Sequence, residues 1–378
     1  MLFDKGTSLK NFVLIRYLLK ELFLYFLISF VFFFMVFFVN QILLLAEDIL
    51  KKHVPVMDVV KLLIYAMPFV VAQSAPYATL VGFLMCLGRM MTDNEILILR
   101  ASGKSFSIVL FPVIIMGLLI SIISFFVNDY LLPLGTISYN KLYNKIIFSD
   151  PTVELESNSI KRTDKATLVI GNVKDRTVSD LIFFDIDEKG QERIIIADKT
   201  EILNSTSPGI LMQLNMDSSV VVFFNNKSKK NYDVMTADDT KMNVFMSSFS
   251  KKSSNTNPRE MTFIDLKSYI KKIKKEGVLS SLQMNMYELE YYKKFALPFG
   301  SIFFALLAMP LAIIFGKHNG QAIGFIIGLF LSLANWAAMM LGQTFGIREG
   351  WSGFWTMWLP NFVVGGAGVF LYLFLRRR

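Results

Sequence analysis

This chain has six long apolar stretches without charged residues, in two groups of three that a polar insert separates. Each stretch is long enough to cross a bilayer, because about 20 residues at ~1.5 Å rise span the ~30 Å hydrocarbon core. The layout predicts an integral membrane protein with six transmembrane α-helices, arranged three plus three around an inserted domain. The predicted spans are 22–46, 62–88, 105–128, 295–316, 319–347 and 350–375, and the insert is 129–294.

The distribution of basic residues predicts the orientation of these spans. A formal net charge of +9 does not indicate nucleic-acid binding here, because Lys and Arg flank the spans and are scattered through the insert without forming one basic face. Short segments on one side of the predicted spans carry eleven Lys and Arg residues, and those on the other side carry four. The positive-inside rule therefore predicts that both termini are cytoplasmic and that the central domain is extracytoplasmic.

The insert has the pattern of an all-β, jelly-roll-like domain over residues 129–260. Runs rich in Val, Ile, Phe and Thr alternate with turn residues at nearly regular spacing, as in an antiparallel sandwich or jelly roll. Residues 247–257 are predicted to be a loop and 261–294 a connecting helix, whose Lys-rich face is either an anionic-lipid patch or simply solvated. The predicted strands are 166–173, 180–186, 193–203, 211–224 and 233–246.

The hinge segment between the second and third spans, residues 88–105, predicts a short surface helix. Thr92 and Glu95 have the spacing of a capping box, and Gly103 is placed to end the helix in the left-handed conformation. In transporters, short helices of this kind dock into a groove on a soluble motor; the alternative is that Glu95 is only a helix cap. The helix is expected over 93–102, with the candidate motor-contacting residues Asp93, Glu95, Ile96, Leu97, Leu99 and Arg100.

Two spans carry side-chain patterns that suit a lipid gate. Glycines recur every four residues from Gly316 to Gly328, and small residues at this spacing let a neighbouring helix approach closely in lipid. This stripe is either static packing within the bundle or a surface that slides against a partner helix. Lipid exposure alone explains a wall of phenylalanines in the first span, although the same wall would suit acyl chains. The candidate gate residues are Phe30, Phe33, Phe34, Phe37, Gly320, Gly324 and Gly328.

The sequence argues against a chain that performs chemistry of its own. No predicted span has a charged residue or His in its interior, which argues against an ion-coupled transporter. One cysteine, Cys86, and two histidines in separate loops give no support to a metal site, a cofactor or a catalytic dyad. Gly103-Lys104-Ser105 resembles the end of a phosphate-binding loop, but such a loop needs a glycine where Ile98 stands. Any ATP-driven work is therefore expected to come from another subunit.

Three segments carry a resemblance that covers essentially the whole chain. They are the entry Ile15-Arg-Tyr-Leu-Leu-Lys-Glu-Leu22, the stretch from Pro76 to Gly103 with its hinge motif, and the stretch from Lys294 through Ala312. Together with the three-plus-three layout, these segments resemble the LptF/LptG (YjgP/YjgQ) permease family. The resemblance implies a non-enzymatic transmembrane subunit of the ABC-type lipopolysaccharide exporter in the bacterial inner membrane.

The same resemblance implies partners and roles for particular residues. In that family two permeases pair on an LptB ATPase dimer, extract lipopolysaccharide from the outer leaflet, and pass it through periplasmic β-jelly rolls to LptC and LptA. The family's coupling-helix glutamate falls on Glu95, and the first and fifth spans form lateral gates. Basic groups at the outer surface, Lys51, Lys52 and Lys61, are candidates to meet lipid phosphates.

Two other functions compete with that of an exporter permease. A non-transport scaffold or receptor would use its spans only to anchor the β-domain, and no ATPase would co-purify with it. An ABC permease of the mechanotransmission type also has a large extracytoplasmic domain, but usually has four spans. Counting the spans therefore separates this last class from the six-span prediction.

Overall fold

The computed structural model confirms the expected number of spans. Within the residues that it describes, six helices are long and apolar enough to cross a membrane. They are Phe12–Leu45 (span 1), Val56–Thr92 (span 2), Ser107–Ile146 (span 3), Ser281–Phe315 (span 4), Gly320–Arg348 (span 5) and Gly353–Arg377 (span 6). The described residues are 5–48, 55–149, 157–162, 166–174, 176–186, 192–204, 210–224, 232–245, 257–277 and 280–377.

The first two helices extend past the apolar stretches that predict them. The first runs over Lys5–Asp48 and the second over Val56–Thr92, so each begins earlier and ends later than expected. Apolar content marks the part of a helix that lies in hydrocarbon, whereas helical hydrogen bonding continues into the polar layer beyond it. The added turns bring the polar side chains of Tyr17, Glu21 and Arg89 onto these helices.

Span 3 changes its helical form close to the predicted end of the span. An α-helix over Ser107–Phe126 passes into a π-helical turn, Val127–Leu131, and continues as an α-helix over Leu132–Ser149. The sequence places the start of the insert at Asp129 because a charge follows an apolar run. In the structure Asp129 stays in the helix, since it has a cationic partner within the bundle, Lys294.

Seven strands form one antiparallel sheet in the segment between spans 3 and 4, within the described part of the chain. They pair in chain order, β1-β2-β4-β5-β6-β7, and the short β3 pairs with β4. The five predicted strands are present, with 166–173 interrupted between β2 and β3, and β1 is a further strand that the pattern does not predict. The bounds are Ser159–Arg162 (β1), Ala166–Ile170 (β2), Val173–Lys174 (β3), Thr177–Ile186 (β4), Glu192–Asn204 (β5), Ile210–Phe224 (β6) and Tyr232–Phe245 (β7).

Alternate residues of the long strands give the sheet one buried apolar face. Ile195 and Ala197 of β5 pair with Val221 and Ser219 of β6, and all four side chains are buried. Because successive side chains point to opposite faces, the intervening Ile196 is exposed. The predicted loop 247–257 lies outside the described residues as far as position 256.

The predicted connecting helix is two helices in the structure. The first, which keeps the name connecting helix, is Phe263–Glu276; Thr262 is its N-cap, and Gly277, with a φ of 63°, ends it in the left-handed conformation. Span 4 then begins after Ser280, which forms a capping box with Gln283. A glycine followed by Ser-x-x-Gln is a stop signal and then a start signal, and it explains the break.

Span 4 is the most buried of the six spans. In its most apolar window 72% of the residues are buried, against 17% for spans 1 and 6. Phe304 of span 4 packs on Tyr77 of span 2 with ring centroids 6.1 Å apart. Asn361 of span 6 donates a hydrogen bond to the Ala296 carbonyl of span 4 at 2.6 Å. Span 4 therefore supplies much of the surface on which the other spans pack.

Candidate functional site

The hinge helix, Glu95–Ala101, is shorter than predicted and begins differently. Its N-cap is Asn94, in the left-handed backbone conformation with a φ of 60°, and it makes no side-chain cap. The predicted capping box of Thr92 and Glu95 is wrong, because both side chains take partners elsewhere in the fold. Gly103, with a φ of 82°, has the left-handed conformation predicted for the residue after the helix.

One apolar side chain of the hinge helix is buried, and two others face outward. Ile96 is 2% exposed and lies in the bundle core, whereas Leu97 and Ile98 are 54% and 64% exposed. Leu99 is partly buried against the same core. The predicted contact surface is thus corrected: Ile96 and Leu99 hold the helix to the bundle, and Ile98 joins Leu97 as its exposed apolar surface.

The charged residues at the two ends of the hinge helix face the same bundle. Asp93, just before the helix, lies 3.6 Å from a guanidinium nitrogen of Arg89. Arg100, in its last turn, places its guanidinium 4.4 Å from the ring centroid of Phe106. A cation at this distance from an aromatic face is attracted by the ring. Both side chains therefore help to orient the hinge helix.

Glu95 is bound by a tyrosine of span 1. The Tyr17 hydroxyl lies 3.1 Å from one carboxylate oxygen of Glu95 and 3.2 Å from the other. A hydroxyl that donates to a carboxylate makes a charge-assisted hydrogen bond, which is stronger than one between neutral groups. Glu95 therefore joins the hinge helix to span 1, which the sequence does not predict.

A second link between span 1 and the hinge segment is an ion pair one helical turn further along. Arg89 of span 2 donates to Glu21 of span 1 at 2.8 Å, and its guanidinium carbon lies 5.7 Å from the centroid of the Tyr25 ring. Tyr17, Glu21 and Tyr25 are spaced i, i+4 and i+8, so they share one face of span 1. That face meets the hinge segment.

Thr92 joins the hinge segment to the loop between spans 4 and 5. Its hydroxyl accepts a hydrogen bond from the Gly320 N–H at 2.9 Å and lies 3.0 Å from the Gly316 carbonyl oxygen, an acceptor. Gly88 and Gly320 pack backbone on backbone, so a Cβ on either would overlap the other. The hinge segment is thus held on one side by span 1 and on the other by the start of span 5.

The glycine stripe of span 5 lies against span 2 of the same chain. A Cβ on Gly324 would stand 2.6 Å from the Leu84 carbonyl oxygen, and one on Gly328 would stand 2.9 Å from a Val81 methyl group. Gly320 packs on Gly88 in the same way, so three successive turns of span 5 lie close to the backbone of span 2. Of the two alternatives for this stripe, the geometry favours packing within the bundle.

The four candidate gate phenylalanines of span 1 face neighbouring rings more than lipid. Phe33 is buried, and its ring centroid lies 6.0 Å from that of Tyr77; the Phe37 ring lies 6.1 Å from the same Tyr77. Phe30 and Phe34 are partly buried and continue a ladder of tilted rings along the helix. Lipid exposure is therefore not the reason for this wall, because the exposed face of span 1 consists of other apolar residues, including Leu27, Val31 and Met35.

A charged cluster lies at the opposite end of the bundle, where the sequence predicts none. Lys294 of span 4 is 2% exposed, and its ammonium nitrogen lies 3.4 Å from an oxygen of Asp129. That oxygen also accepts the N–H of Phe263, the first residue of the connecting helix, at 2.7 Å. The neighbouring Asn128 donates to the Lys294 carbonyl at 3.1 Å. The π-helical turn of span 3 thus joins span 3 to span 4 and to the connecting helix.

Further charges surround this cluster and join the connecting helix to span 4. Glu290 lies 3.6 Å from Arg259, and Lys274 of the connecting helix donates to Glu288 at 2.6 Å. The hydrogen bond with the Glu288 carboxylate raises the pKa of Lys274. A cavity of about 10 Å³, the size of one water molecule, is lined by residues that include Gln73, Asn128, Arg259, Glu290 and Lys293. These contacts stabilise a junction and leave no room for a lipid.

Of the three lysines predicted to meet lipid phosphates, the structure describes one. Lys51 and Lys52 lie outside the described residues. Lys61 is partly exposed and its ammonium lies 3.3 Å from a carboxylate oxygen of Asp58. Among the residues that the structure describes, no group of three His, Cys, Asp or Glu side chains could hold a metal ion.

The sequence contained signals for two of the contacts that the pattern alone does not predict. Tyr17 and Glu21 lie one helical turn apart in the entry segment, and Arg89 and Glu95 both lie in the hinge segment. Polar residues at both places suggest a partner, but only the fold shows that the two places meet. The pairing of Asp129 with Lys294 had no such signal, because each residue is at an end of the polar insert.

This geometry occurs in a chain that matches a known family along nearly its whole length. The family model described as lipopolysaccharide export system permease LptF/LptG matches residues 16–376. The chain belongs to the LptF/LptG family. Its six apolar helices and the family make it a multi-pass protein of the inner membrane and a transport subunit of the lipopolysaccharide export system. No curated protein matches the chain.

The LptF/LptG match includes both sides of each contact at the hinge. Tyr17 lies just inside the start of the matched region, and the hinge helix and the first turn of span 5 are well within it. Six spans also separate this LptF/LptG chain from four-span permeases of the mechanotransmission type. The hinge helix, held by spans 1 and 5, is therefore the candidate functional site of this permease.

Proposed function

We propose that this LptF/LptG chain is the permease subunit that extracts lipopolysaccharide from the inner membrane, driven by a separate LptB-type ATPase dimer. The observation that carries the proposal is the exposed pair Leu97 and Ile98 on a short helix between two spans. Neighbouring apolar side chains held outward by a rigid support favour a protein partner. The ATPase is the partner whose motion such a helix would receive.

The proposed orientation places the hinge helix and both termini in the cytoplasm and the sheet in the periplasm. Eleven Lys and Arg residues in short segments on the hinge side, against four on the other, support it. An ATPase reaches only the cytoplasmic face of the inner membrane, so the docking helix has to lie there. The two arguments are independent and agree.

The lipid needs a continuous apolar route. Each methylene moved from lipid into water costs about 0.8 kcal/mol, so a lipid with several acyl chains cannot be lifted bare into the periplasm. We place the lateral gates along spans 1 and 5, where a sister LptF/LptG permease would pair with this chain. In this proposal Phe30, Phe33, Phe34 and Phe37, together with Gly320, Gly324 and Gly328, support the gate helices from inside.

The sheet supports a hand-over from one β-domain to another. β1 and β7 are the outer strands of the described sheet, and an edge strand can pair with a strand of another protein. LptC- and LptA-type β-jelly-roll proteins are the partners proposed for these edges. Lys51, Lys52 and Lys61 are proposed to meet the lipid phosphates before the hand-over.

Ile98→Ser tests the docking surface, with Ile264→Ser as its matched control. Both isoleucines are 64% exposed and both lie on helices, but Ile264 is on the connecting helix. With the ATPase and the sister permease co-expressed, we expect Ile98→Ser to lower the co-purified ATPase about tenfold. Ile98 is proposed to be one of the few residues that carry most of the binding energy of the interface, and a loss of ~1.4 kcal/mol is tenfold in affinity. Ile264→Ser is expected to leave the amount of ATPase unchanged.

Three results would bear on the proposal in different ways. No ATPase with the unaltered chain would reject the exporter function and favour a scaffold or receptor that anchors a β-domain. Equal loss in both isoleucine variants would reject the hinge helix as the docking site. A complex that Glu95→Ala leaves fully active would remove Glu95 from the coupling but keep the permease.

A further inference from the structure

The contact between Tyr17 and Glu95 joins span 1, one of the proposed gate helices, to the hinge helix. The two residues are 78 positions apart in the chain, and the hydroxyl lies at nearly equal distances, 3.1 and 3.2 Å, from both carboxylate oxygens. Such a geometry directs the carboxylate towards span 1. Glu95 is the first residue of the hinge helix, so the same contact orients the start of that helix.

Neighbouring contacts make this link part of a rigid patch. Glu21, one turn after Tyr17, pairs with Arg89 at 2.8 Å, and Arg89 reaches Asp93 at 3.6 Å. Ile96, the residue after Glu95 in the hinge helix, is buried in the bundle core. A large displacement of the hinge helix would therefore also displace span 1.

We propose that Tyr17 is a positioning residue: it holds the Glu95 carboxylate and transmits the movement of the hinge helix to span 1. The inference rests on the proposed function, since it assigns the path by which the motor moves one gate helix. By this inference, Glu95 transmits movement to span 1 of its own chain and also contacts the ATPase. Without the Tyr17 hydroxyl the motor would still bind and hydrolyse ATP, but span 1 would follow the hinge helix less closely.

The alternative for Tyr17 is an aromatic residue that only anchors span 1 at the membrane interface. The ring alone serves that purpose, so Tyr17→Phe would preserve it. The hydroxyl is needed only if its polar contacts at the hinge, with Glu95 and with Arg89, matter. Tyr17→Phe therefore separates the two roles.

The test uses the complete complex of both permeases and the ATPase, reconstituted in vesicles that contain lipopolysaccharide. For Tyr17→Phe we expect ATP hydrolysis to stay close to that of the unaltered complex, and the lipopolysaccharide released per ATP to fall by about fivefold or more, as for ordinary coupling between two sites. Tyr372→Phe is the matched control. It removes another tyrosine hydroxyl at the hinge end, which lies 3.0 Å from the Ser107 hydroxyl, and it should change neither quantity.

A double-mutant cycle gives a reading that a folding role would not produce. Glu95→Gln removes the charge that strengthens the hydrogen bond, so Tyr17→Phe should lower the release per ATP less in the Gln background than in the unaltered chain. An equal loss in both backgrounds would overturn the proposal. So would normal release with Tyr17→Phe, or a Tyr17→Phe chain that fails to assemble while Tyr372→Phe assembles normally. If the unaltered chain binds no ATPase, the proposed function fails first, and that result is distinct from all of these.

Discussion

At the scale of single residues, Lys294 is the most deeply buried charged side chain among those described above. Its ammonium is withdrawn almost completely from solvent, and its ionic partner Asp129 lies 3.4 Å away. Burial of an ion costs several kcal/mol, which a close partner with additional hydrogen bonds can offset. Asp129 has such a bond from the Phe263 N–H. The pair therefore stabilises the bundle only while both charges are present.

Lys294→Met is expected to lower the free energy of unfolding by about 3–5 kcal/mol, because it leaves the Asp129 carboxylate, which is only 14% exposed, without its cation. The measurement is the thermal unfolding midpoint of the detergent-purified chain. Adding Asp129→Asn should restore most of the loss, since the amide oxygen still accepts the Phe263 N–H.

Lys61→Met is the matched control for Lys294→Met. Lys61 and Asp58 form a partly exposed ion pair of similar length, 3.3 Å, and such pairs contribute about 0–1 kcal/mol. A Lys294→Met chain as stable as Lys61→Met, or a double variant no more stable than Lys294→Met, would show that the buried pair is not what stabilises this junction.

At the scale of the helices, glycines decide how closely the spans approach. Gly82 of span 2 meets span 1, where a Cβ would stand 2.7 Å from the Tyr25 carbonyl oxygen, and Gly324 of span 5 meets span 2 at Leu84. Between helices in lipid, where apolar burial adds little, close packing of this kind is a main source of stability. Span 2 is thus fixed against both proposed gate helices by contacts that leave no space for a side chain.

Gly324→Ala is expected to destabilise the chain by about 1–3 kcal/mol, because the new methyl group meets backbone atoms that cannot rotate away. Gly366→Ala in span 6 is the control, since no atom lies within 4 Å of the Cβ it would add. It should be neutral or slightly stabilising, as alanine favours a helix over glycine. Unfolding midpoints of the two variants in one detergent make the comparison; equal midpoints would contradict it.

At the scale of the whole molecule, the chain divides into two compact units, one with most of the spans and one with the sheet, the start of span 2 and the end of span 3. The sheet comes from one continuous insert, so the chain has to leave the bundle after span 3 and re-enter it with span 4. The orientation proposed above assigns this insert to the periplasm and the hinge helix to the cytoplasm. The orientation is a property that labelling can test directly.

Single cysteines at His318 and Glu349 should report opposite sides of the membrane. Both positions are exposed and flank span 5, and the native Cys86 is 0% exposed and should not react. We expect a membrane-impermeant maleimide to label Glu349→Cys in intact spheroplasts, and His318→Cys only after the membrane is opened. The reverse pattern would place the hinge helix outside and exclude an ATPase partner there.

Much of the fold was predictable because it follows from local pattern. Bilayer thickness sets the length of an apolar stretch, and strand alternation and turn residues mark the sheet, so the six spans and five strands were predicted. The helices of spans 1, 3 and 4 nevertheless continue well beyond the predicted bounds. Boundaries were less accurate where polar residues have partners inside the bundle. Asp129 is the main case: it continues span 3 because Lys294 faces it.

The candidate site was predictable only in part. The sequence located the hinge helix and its left-handed end at Gly103, because both depend on nearby residues. The sequence predicted that Thr92 and Glu95 form a local capping box. In the folded chain Glu95 is hydrogen-bonded to Tyr17 instead, and Thr92 to Gly320. The sequence also offered Ile96 to a partner, although a seven-residue helix has to bury one side to stay attached.

The sequence by itself determined that this chain is a six-span membrane protein with a β-rich insert and a short helix between spans 2 and 3. Those properties depend on length, apolar content and neighbours along the chain. Only the tertiary structure decided which spans hold the hinge helix, which face of it is exposed, and how Lys294 is neutralised. Each of these depends on residues far apart in sequence, whose meeting is set by the packing of whole helices.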